Sequence, residues 1–542
     1  MRLSFVVPGK KPVEEDFPLG PGITVWEAAR RLGLPLAIPC GGQGLCGKCA
    51  VRLQPAPPPT PREARLLTAA QLAAGMRLAC LCQPEEAATV WLEPLPGAPS
   101  RPPGSVPASI PVDPGQKGLG VALDLGTTTI SAGVLDLATG TVLAAGETAN
   151  PQTRYGEDVL VRLSYAMQGP TAREELRRAA LEGLNNLLVE LAAAAQVAVE
   201  QLERAVVVGN PAMHHLLLGL AVDSLARAPH QPVSTQAREV TAAELGLLLG
   251  ETARVYLPPL VGGFVGSDAV AMCVAEGLLE PGRCCLAVDL GTNGELVLTT
   301  PKAVYACSTA AGPAFEGGGL RCGMRAEPGA IVAVRPGQPL EVEAVGGGPP
   351  RGLAGSGAIG AAATLLALGA LAPDGRLRSA EELPETAWPA LGERLVTLPD
   401  GMRAVVLTAG GESSRGGEVV LTQGDLRQLQ LAKGALRAGV ETLLHRAGVA
   451  KEELDEVLLA GAFGQGLSPE SALAIGLLPP VPAARVRPVG NAAWRGAALL
   501  LGCPSKRREI AGAAQRIIHL ALAEDPHFAE LYLGLLDFPA IG

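Results

Sequence analysis

The segment GVALDLGTTTISAGVLD at residues 120–136 decides the fold of this chain, because its pattern returns as LAVDLGTNGELVLTT at residues 286–300. Each copy is an apolar run that ends in an Asp-Leu-Gly-Thr turn and continues into a second apolar run. Short apolar runs bounded by turn residues are typical of buried strands. The repeat therefore predicts two copies of a strand–turn–strand hairpin.

Two such turns facing each other would place two carboxylates, Asp124 and Asp289, around a polyphosphate and its Mg²⁺. A single Asp-Leu-Gly-Thr run would be a weak signal, since Asp and Gly often only form a turn. Two copies within the same apolar frame favour a nucleotide site. The residues expected to bind its phosphates are Gly126, Thr127, Thr128, Gly291, Thr292 and Asn293.

A third segment, ELDEVLLAGAFGQGLSP at residues 453–469, reads as a strand that runs into small residues. We expect Gly461, Ala462 and Gly464 to let an adenine ring lie against the backbone. Asp268 and Glu295 are candidates to orient the attacking water. The alternative for each of these two acids is a structural turn or a solvated carboxylate.

These three segments resemble the phosphate-one, phosphate-two and adenosine motifs of the superfamily that holds acetate and sugar kinases, heat-shock chaperones and actin. The resemblance covers residues 118–500. It implies an actin-like, ribonuclease H-like α/β ATPase in which two duplicated domains close over ATP in a cleft.

Cysteines cluster near the start of the chain, where Cys40, Cys46 and Cys49 lie in the glycine-rich run CGGQGLCGKC. A reducing compartment disfavours disulfides, and a zinc site would more often show two separated Cys-x₂-Cys pairs, so a [2Fe–2S] cluster is favoured over zinc or buried thiols. The run resembles adrenodoxin-like ferredoxins, which close the cluster with a cysteine in an RLAC segment. That resemblance implies Cys80 as the fourth ligand, and Cys82 stays an alternative.

The surrounding sequence agrees with a β-grasp ferredoxin domain. Residues 2–7 and 12–18 predict a hairpin around Pro8-Gly9, and Thr24 can cap a short helix. The run Thr60-Pro-Arg-Glu63 predicts a capping box that opens a second helix.

Composition divides the chain into four parts. We expect the ferredoxin-like domain at 1–93, a proline-rich linker at 94–117 that cannot pack, a first actin-like lobe or middle domain at 118–205, and a C-terminal ATPase region at 206–542. The whole is a multidomain α/β protein.

Charge and composition limit the partners. A net charge of −9 and 3% aromatic residues argue against nucleic acid. The N-terminus shows no secretory signal, which predicts a cytoplasmic protein. Residues 352–373 are uncharged, but their glycines and alanines favour a loop entering a buried helix over a membrane span, so no membrane partner is expected.

The combination of an N-terminal [2Fe–2S] domain, a proline-rich linker and the nucleotide-binding motifs resembles the reductive activators of corrinoid proteins. Further segments that carry this resemblance are VVGNPAMHHLLLGL (207–220), LPPLVGGFVGSDAVA (257–271) and ACSTAAGPAFEGGGL (306–320). It implies ATP-dependent transfer of one electron to the Co(II) corrinoid of a partner protein, with an external donor to reduce the cluster. A homodimer is one candidate assembly. The alternatives are a small-molecule kinase with a redox-sensing domain and a nucleotide-gated electron carrier that does not hydrolyse ATP.

Overall fold

The structure is a computed structural model. It describes residues 2–7, 11–17, 23–34, 36, 38, 42–44, 47, 49–67, 69–92, 106–337, 340–383, 389–408, 418–461 and 466–540.

The N-terminal domain is a five-stranded sheet in the order β2-β1-β5-β3-β4, with helix α1 packed against it. The predicted hairpin is confirmed, because β1 and β2 pair antiparallel. Thr24 and Glu27 form a capping box at the start of α1, and Thr60 with Glu63 forms the second predicted box. The elements are β1 (Arg2–Val6), β2 (Val13–Asp16), α1 (Val25–Arg31), β3 (Ala50–Gln54), α2 (Glu63–Leu66), α3 (Ala69–Ala73), β4 (Met76–Leu78) and β5 (Ala88–Trp91).

The end of the predicted linker is packed on the body. Ile110 is 7% exposed, and its N–H donates to the Gly140 carbonyl over 2.9 Å. Asp113 accepts hydrogen bonds from the backbone and hydroxyl of Ser505. The expectation that all of residues 94–117 stay unpacked is therefore wrong for this part, because a large apolar side chain and a capping carboxylate anchor it. The chain between the two folded parts is then residues 93–105, which span at most about 45 Å.

The first lobe of the body is built on a six-stranded sheet in the order β10-β11-β9-β6-β7-β8. This sheet runs across the boundary expected at residue 205, which falls inside β9, because the strands after it pair with those before it. The elements are β6 (Leu119–Leu125), β7 (Thr129–Asp136), β8 (Val142–Ala149), α4 (Val159–Ala166), α5 (Pro170–Ala194), β9 (Leu202–Val208), α6 (Pro211–Leu217), α7 (Asp223–Ala226), β10 (Arg238–Thr241), α8 (Ala242–Leu245), β11 (Arg254–Leu257) and α9 (Ser267–Glu276).

The second lobe contains the other six-stranded sheet, in the order β22-β21-β12-β13-β14-β23, and two three-stranded sheets. Its elements are β12 (Cys285–Leu290), β13 (Gly294–Thr299), β14 (Val304–Thr309), β15 (Ala330–Arg335), β16 (Glu341–Ala344), β17 (Gly352–Leu353), α10 (Gly355–Ala367), α11 (Pro389–Gly392), β18 (Leu395–Thr397), β19 (Arg403–Thr408), β20 (Val419–Thr422), α12 (Gln423–Ala447), β21 (Glu456–Ala460), α13 (Pro469–Ala474), β22 (Val486–Gly490), α14 (Ala492–Gly502), α15 (Pro504–Arg516), β23 (Ile518–His519) and α16 (Pro526–Gly534).

The two large sheets share one topology, which confirms the internal repeat. In each, the hairpin predicted from the Asp-Leu-Gly-Thr run is antiparallel, β6 with β7 and β12 with β13. The first strand of each hairpin then pairs parallel with a later strand, β6 with β9 and β12 with β21. This shared strand pairing places the turn after β6 and the turn after β12 at the corresponding end of each sheet.

The uncharged stretch at residues 352–373 forms the short strand β17 and the buried helix α10. Its side chains belong to the large core of the second lobe. None of the helices in the described ranges combines the length and hydropathy needed to cross a bilayer.

Candidate active site

The two predicted turns face each other across one cleft. Thr128 Oγ1 of the β6–β7 turn lies 2.8 Å from Thr292 Oγ1 of the β12–β13 turn. The cleft is open to solvent and encloses roughly 700 Å³ of space, part of which is continuous with the solvent. Among its lining residues are these predicted ones: Asp124, Gly126, Thr127, Thr128, Asp268, Asp289, Gly291, Thr292, Asn293, Glu295 and Gly461.

Four of the predicted acids meet in this cleft. Burial raises the pKa of Asp124 to about 7, and repulsion from Asp268 adds to the effect. Burial likewise raises the pKa of Asp268 and of Asp289 to about 7. For Glu295, burial and then the charges of Asp268 and Asp289 raise the pKa well above its usual value. Each carboxylate is therefore costly to ionise beside the others.

These four acids line one cleft, but among the described residues no three His, Cys, Asp or Glu side chains lie close enough together to form a metal site by themselves. Carboxylate oxygens are the ligands that Mg²⁺ prefers, and a cation in the cleft would offset the repulsion between the acids, which adds to burial in raising these pKa values. The first turn of α9 supplies Asp268, and the strands of the two hairpins supply Asp124, Asp289 and Glu295. Four separate elements, α9, β6, β12 and β13, thus bring acids to one cleft.

Two asparagines complete the walls, and the sequence reasoning missed both. Asn210 donates to Thr127 Oγ1 over 2.9 Å, and Asn491 donates to Asp124 Oδ2 over 3.0 Å. Each asparagine also caps the helix that follows it, α6 or α14. A signal was present, because each follows a buried strand as the dipeptide Gly-Asn, at residues 209–210 and 490–491.

Glu316 is a further residue that the sequence did not reveal. Burial raises its pKa, while hydrogen bonds with Thr128 and Thr292 oppose this shift. Its Oε2 is buried and has no hydrogen-bond partner among the described residues. Arg325 donates to the Thr128 carbonyl over 3.1 Å. The Glu316 carboxylate thus borders both Asp-Leu-Gly-Thr turns and the Arg325 guanidinium borders the first, although no repeated motif marks either residue.

Gly461 follows β21 and closes the cleft at the second turn. Its φ of +96° is a left-handed value, and an added Cβ would lie 2.8 Å from Asp289 Oδ1. Only glycine fits both requirements. Ala462 and Gly464, the other predicted adenine contacts, lie outside the described residues.

The cluster site is described in part. Cys40 and Cys46 lie outside the described residues, whereas Cys49 and Cys80 converge with their sulfurs 3.3 Å apart. The hydrogen bond with Cys49 lowers the pKa of Cys80 to about 7, and burial raises the pKa of Cys82 to about 12. Cys80 is therefore the better thiolate donor of the two. Thiolates are the ligands that an iron–sulfur cluster requires, so the described pair fits one.

Family comparisons match all three parts of the chain. A 2Fe-2S iron-sulfur cluster binding domain matches residues 10–85. The RACo middle region matches residues 119–280, and the C-terminal domain of RACo, described as the ASKHA domain, matches residues 283–542. These matches agree with a ferredoxin domain followed by an actin-like α/β fold.

Individual relatives agree with these matches. The corrinoid activation enzyme RamQ of Eubacterium limosum is 34% identical over 417 residues, which cover 76% of this chain and 69% of RamQ. The Co(II) methylated amine-specific corrinoid protein reductase of Methanosarcina barkeri is 27% identical over 453 residues, 77% of either chain.

A solved structure extends the similarity to the whole chain. A reductive activator for corrinoid, iron-sulfur protein superposes with a TM-score of 0.74 at 26% identity, covering 99% of this chain and 98% of its own. The sequence therefore predicted the fold and the family correctly. This chain belongs to the RACo family, the family of corrinoid activation enzymes.

Proposed function

We propose that this chain is an ATP-dependent reductive activator, which delivers one electron from its [2Fe–2S] cluster to the Co(II) corrinoid of a partner protein and so restores Co(I). The observation that carries the proposal is the union, in one chain, of converging cysteines with two facing phosphate turns. The named relatives act on corrinoid proteins, which supports the choice of partner.

Different residues of the cleft would bind the Mg²⁺ ion and the phosphates of ATP. Asp124 and Asp289 would hold Mg²⁺, directly or through water, and Mg²⁺ would neutralise charge on the phosphates. Thr127, Thr128 and Thr292, with neighbouring backbone N–H groups, would bind the β- and γ-phosphates.

The attacking water needs a group to orient it, and Asp268 and Glu295 are the candidates. Ser308 donates to Glu295 over 3.4 Å and so fixes one of its oxygens. Phosphoryl transfer depends mainly on positioning and charge, so a weak base suffices for slow turnover. Ala462 and Gly464 remain proposed adenine contacts beside Gly461.

The energetics explain why ATP is joined to an electron carrier. For a one-electron transfer, every ~59 mV uphill costs a factor of about ten in the equilibrium constant. ATP carries no electron, so it helps only where its binding or hydrolysis favours a complex in which Co(II) is easier to reduce, or releases the product. A separate donor must therefore reduce the cluster again.

The test is anaerobic mixing of the reduced protein with a Co(II) corrinoid protein, with and without ATP, while the Co(I) absorption band is recorded. We expect Co(I) to form in an ATP-dependent way. Transfer of phosphate to an added metabolite instead would indicate a kinase. ATP binding without turnover, with Co(I) formed all the same, would indicate a nucleotide-gated carrier.

A further inference from the structure

Helix α1 of the ferredoxin domain lies against the first lobe of the body. Arg30 donates to the hydroxyl of Tyr165 over 2.8 Å, and Tyr165 in turn donates to the carboxylate of Glu175. The Arg30 guanidinium also lies 5.5 Å from the ring centre of Tyr165 and 5.6 Å from that of Trp26. A cation on one domain thus contacts an aromatic ring on the other, and the hydroxyl of that ring links it to an anion.

Further contacts between the two domains lie beside the pair Arg30 and Tyr165. The ring of Tyr155 lies 4.9 Å from that of Tyr165, so the two tyrosines form one aromatic surface on the first lobe. Trp26 and Leu36 of the ferredoxin domain and Arg154 and Tyr155 of the lobe line a narrow crevice between the domains. Trp26 is only partly buried there, and the hydrophobic cores of the two domains are otherwise separate.

The same helix holds the cluster-binding segments. The N–H groups of Val25 and Trp26 donate to the carbonyls of Cys82 and Ala79, which flank Cys80. The Trp26 ring also lies against Gly42, where an added Cβ would be 3.0 Å from Trp26 Cζ3. Any movement of α1 therefore carries the cluster with it.

On the other side, the aromatic surface is attached to the nucleotide site. Asn150 donates from its backbone to the Thr128 carbonyl and from its side chain to the Gly126 carbonyl, each over 2.8 Å. Asn150 also caps the 3-10 turn Pro151–Tyr155, which ends in the tyrosine of the crevice. These hydrogen bonds thus fix the position of the surface that contacts α1 relative to the first phosphate turn.

We propose that this surface of the first lobe, formed by Tyr155, Tyr165 and Glu175, is a reversible docking site for helix α1 of the chain's own ferredoxin domain. Cation–π contacts and a part-buried hydrogen bond are individually weak, so the contact can open. The short connection through residues 93–105 keeps the two surfaces at high effective concentration, so the docked state is populated. The site would give the cluster one defined resting position from which it leaves to meet a partner.

This inference goes beyond the proposed function, because it concerns where the ferredoxin domain rests and not what it reduces. Small-angle X-ray scattering of the full-length, cluster-loaded protein tests it without any electron transfer. The variant is Arg30→Ala, and the matched control is Arg31→Ala, the exposed neighbouring arginine on the same helix. An unchanged cluster absorption spectrum shows that the domain is folded in each.

We expect Arg30→Ala to increase the radius of gyration and the maximum dimension, and Arg31→Ala to leave both at the wild-type values. Tyr165→Phe, which keeps the ring and removes the shared hydroxyl, should give a smaller increase of the same sign. Because the Tyr165 hydroxyl links the Arg30 guanidinium to the Glu175 carboxylate, rising salt should screen their attraction and expand the wild-type protein, and dialysis back to low salt should restore it. Wild-type scattering from Arg30→Ala, or a wild-type protein already extended at low salt, would overturn the proposal.

Discussion

At the scale of single residues, position decides which of two neighbouring cysteines can serve a cluster. Cys80 and Cys82 are both buried, but the Cys80 sulfur points to Cys49 while burial holds Cys82 as a thiol. The sequence alone left this choice open, because two cysteines that lie two residues apart match the same segment. The resemblance indicated Cys80, and the described geometry supports it.

We therefore predict that Cys80→Ala abolishes the visible absorption of the [2Fe–2S] cluster and that Cys82→Ala retains most of it, because only Cys80 converges with a second sulfur. Absorption spectra and iron content of the purified variants check this. Greater loss in Cys82→Ala would assign the fourth ligand to Cys82.

The acids of the cleft give a second prediction at this scale. The pKa values of Asp124, Asp268 and Asp289 are raised to about 7, and a cation binds their ionised forms. Protons thus compete with Mg²⁺ for these carboxylates below pH 7. At a pH far above 7 this competition disappears. As the pH is lowered below 7, we expect the affinity for Mg²⁺–ADP to fall by about tenfold per pH unit for each proton that the cation displaces.

Isothermal titration at pH 6, 7 and 8 measures this affinity, with Mg²⁺ titrated into ADP alone as the control for protonation of the nucleotide. A protein affinity that stays constant from pH 6 to 8 would mean that these acids do not take part in cation binding.

At the scale of elements, the crossing of α9 and α14 joins the two lobes at the site. Asp268 lies in the first turn of α9 and Asn491 caps α14, so both helices begin at the cleft. Gly496 of α14 lies against α9, where an added Cβ would be 1.9 Å from the Ala271 carbonyl oxygen. The absence of a side chain at Gly496 thus sets how closely α9 and α14 approach, and with them Asp268 and Asn491.

Gly496→Ala should separate these helices and destabilise the body by about 1–3 kcal/mol, the usual cost of overpacking. Thermal unfolding and the ATPase rate should both decline. Gly512→Ala in α15, where the nearest atom is the Arg516 guanidinium at 3.5 Å, is the matched control and should raise the unfolding midpoint slightly. Equal unfolding midpoints and ATPase rates in the two variants would show that the close crossing of α9 and α14 affects neither stability nor activity.

At the scale of the whole molecule, the sequence predicted what repeats or clusters along the chain and missed what only the folded chain brings together. The Asp-Leu-Gly-Thr hairpins and the start of α1 are local patterns, and they were found. Glu316 reaches the phosphate turns from a non-repeated segment, and the anchoring of Ile110 depends on a distant strand, so neither had a local signal. The extent of the first lobe was missed for the same reason, since β9 and β11 pair across long separations.

Removal of residues 1–93 should leave a body that still hydrolyses ATP, because both phosphate turns and the cores of the two lobes lie after residue 105. The truncated protein should form no Co(I). Mixing it with an Asp289→Asn protein should not restore the full rate, because separate molecules lack the effective concentration of the intact chain. ATP turnover and Co(I) formation, measured in parallel, check all three statements.

The most direct test of the central claim, that ATP at the two facing turns is coupled to the electron, is the rate of Co(I) formation by Asp289→Asn. Asp136→Asn, at the far end of the first hairpin from Asp124, is its control. The account predicts that Asp289→Asn keeps its cluster spectrum, loses ATPase activity by about two or more orders of magnitude and loses Co(I) formation with it, while Asp136→Asn keeps both. Co(I) formation by Asp289→Asn at the wild-type rate, with its ATPase lost, would contradict the coupling.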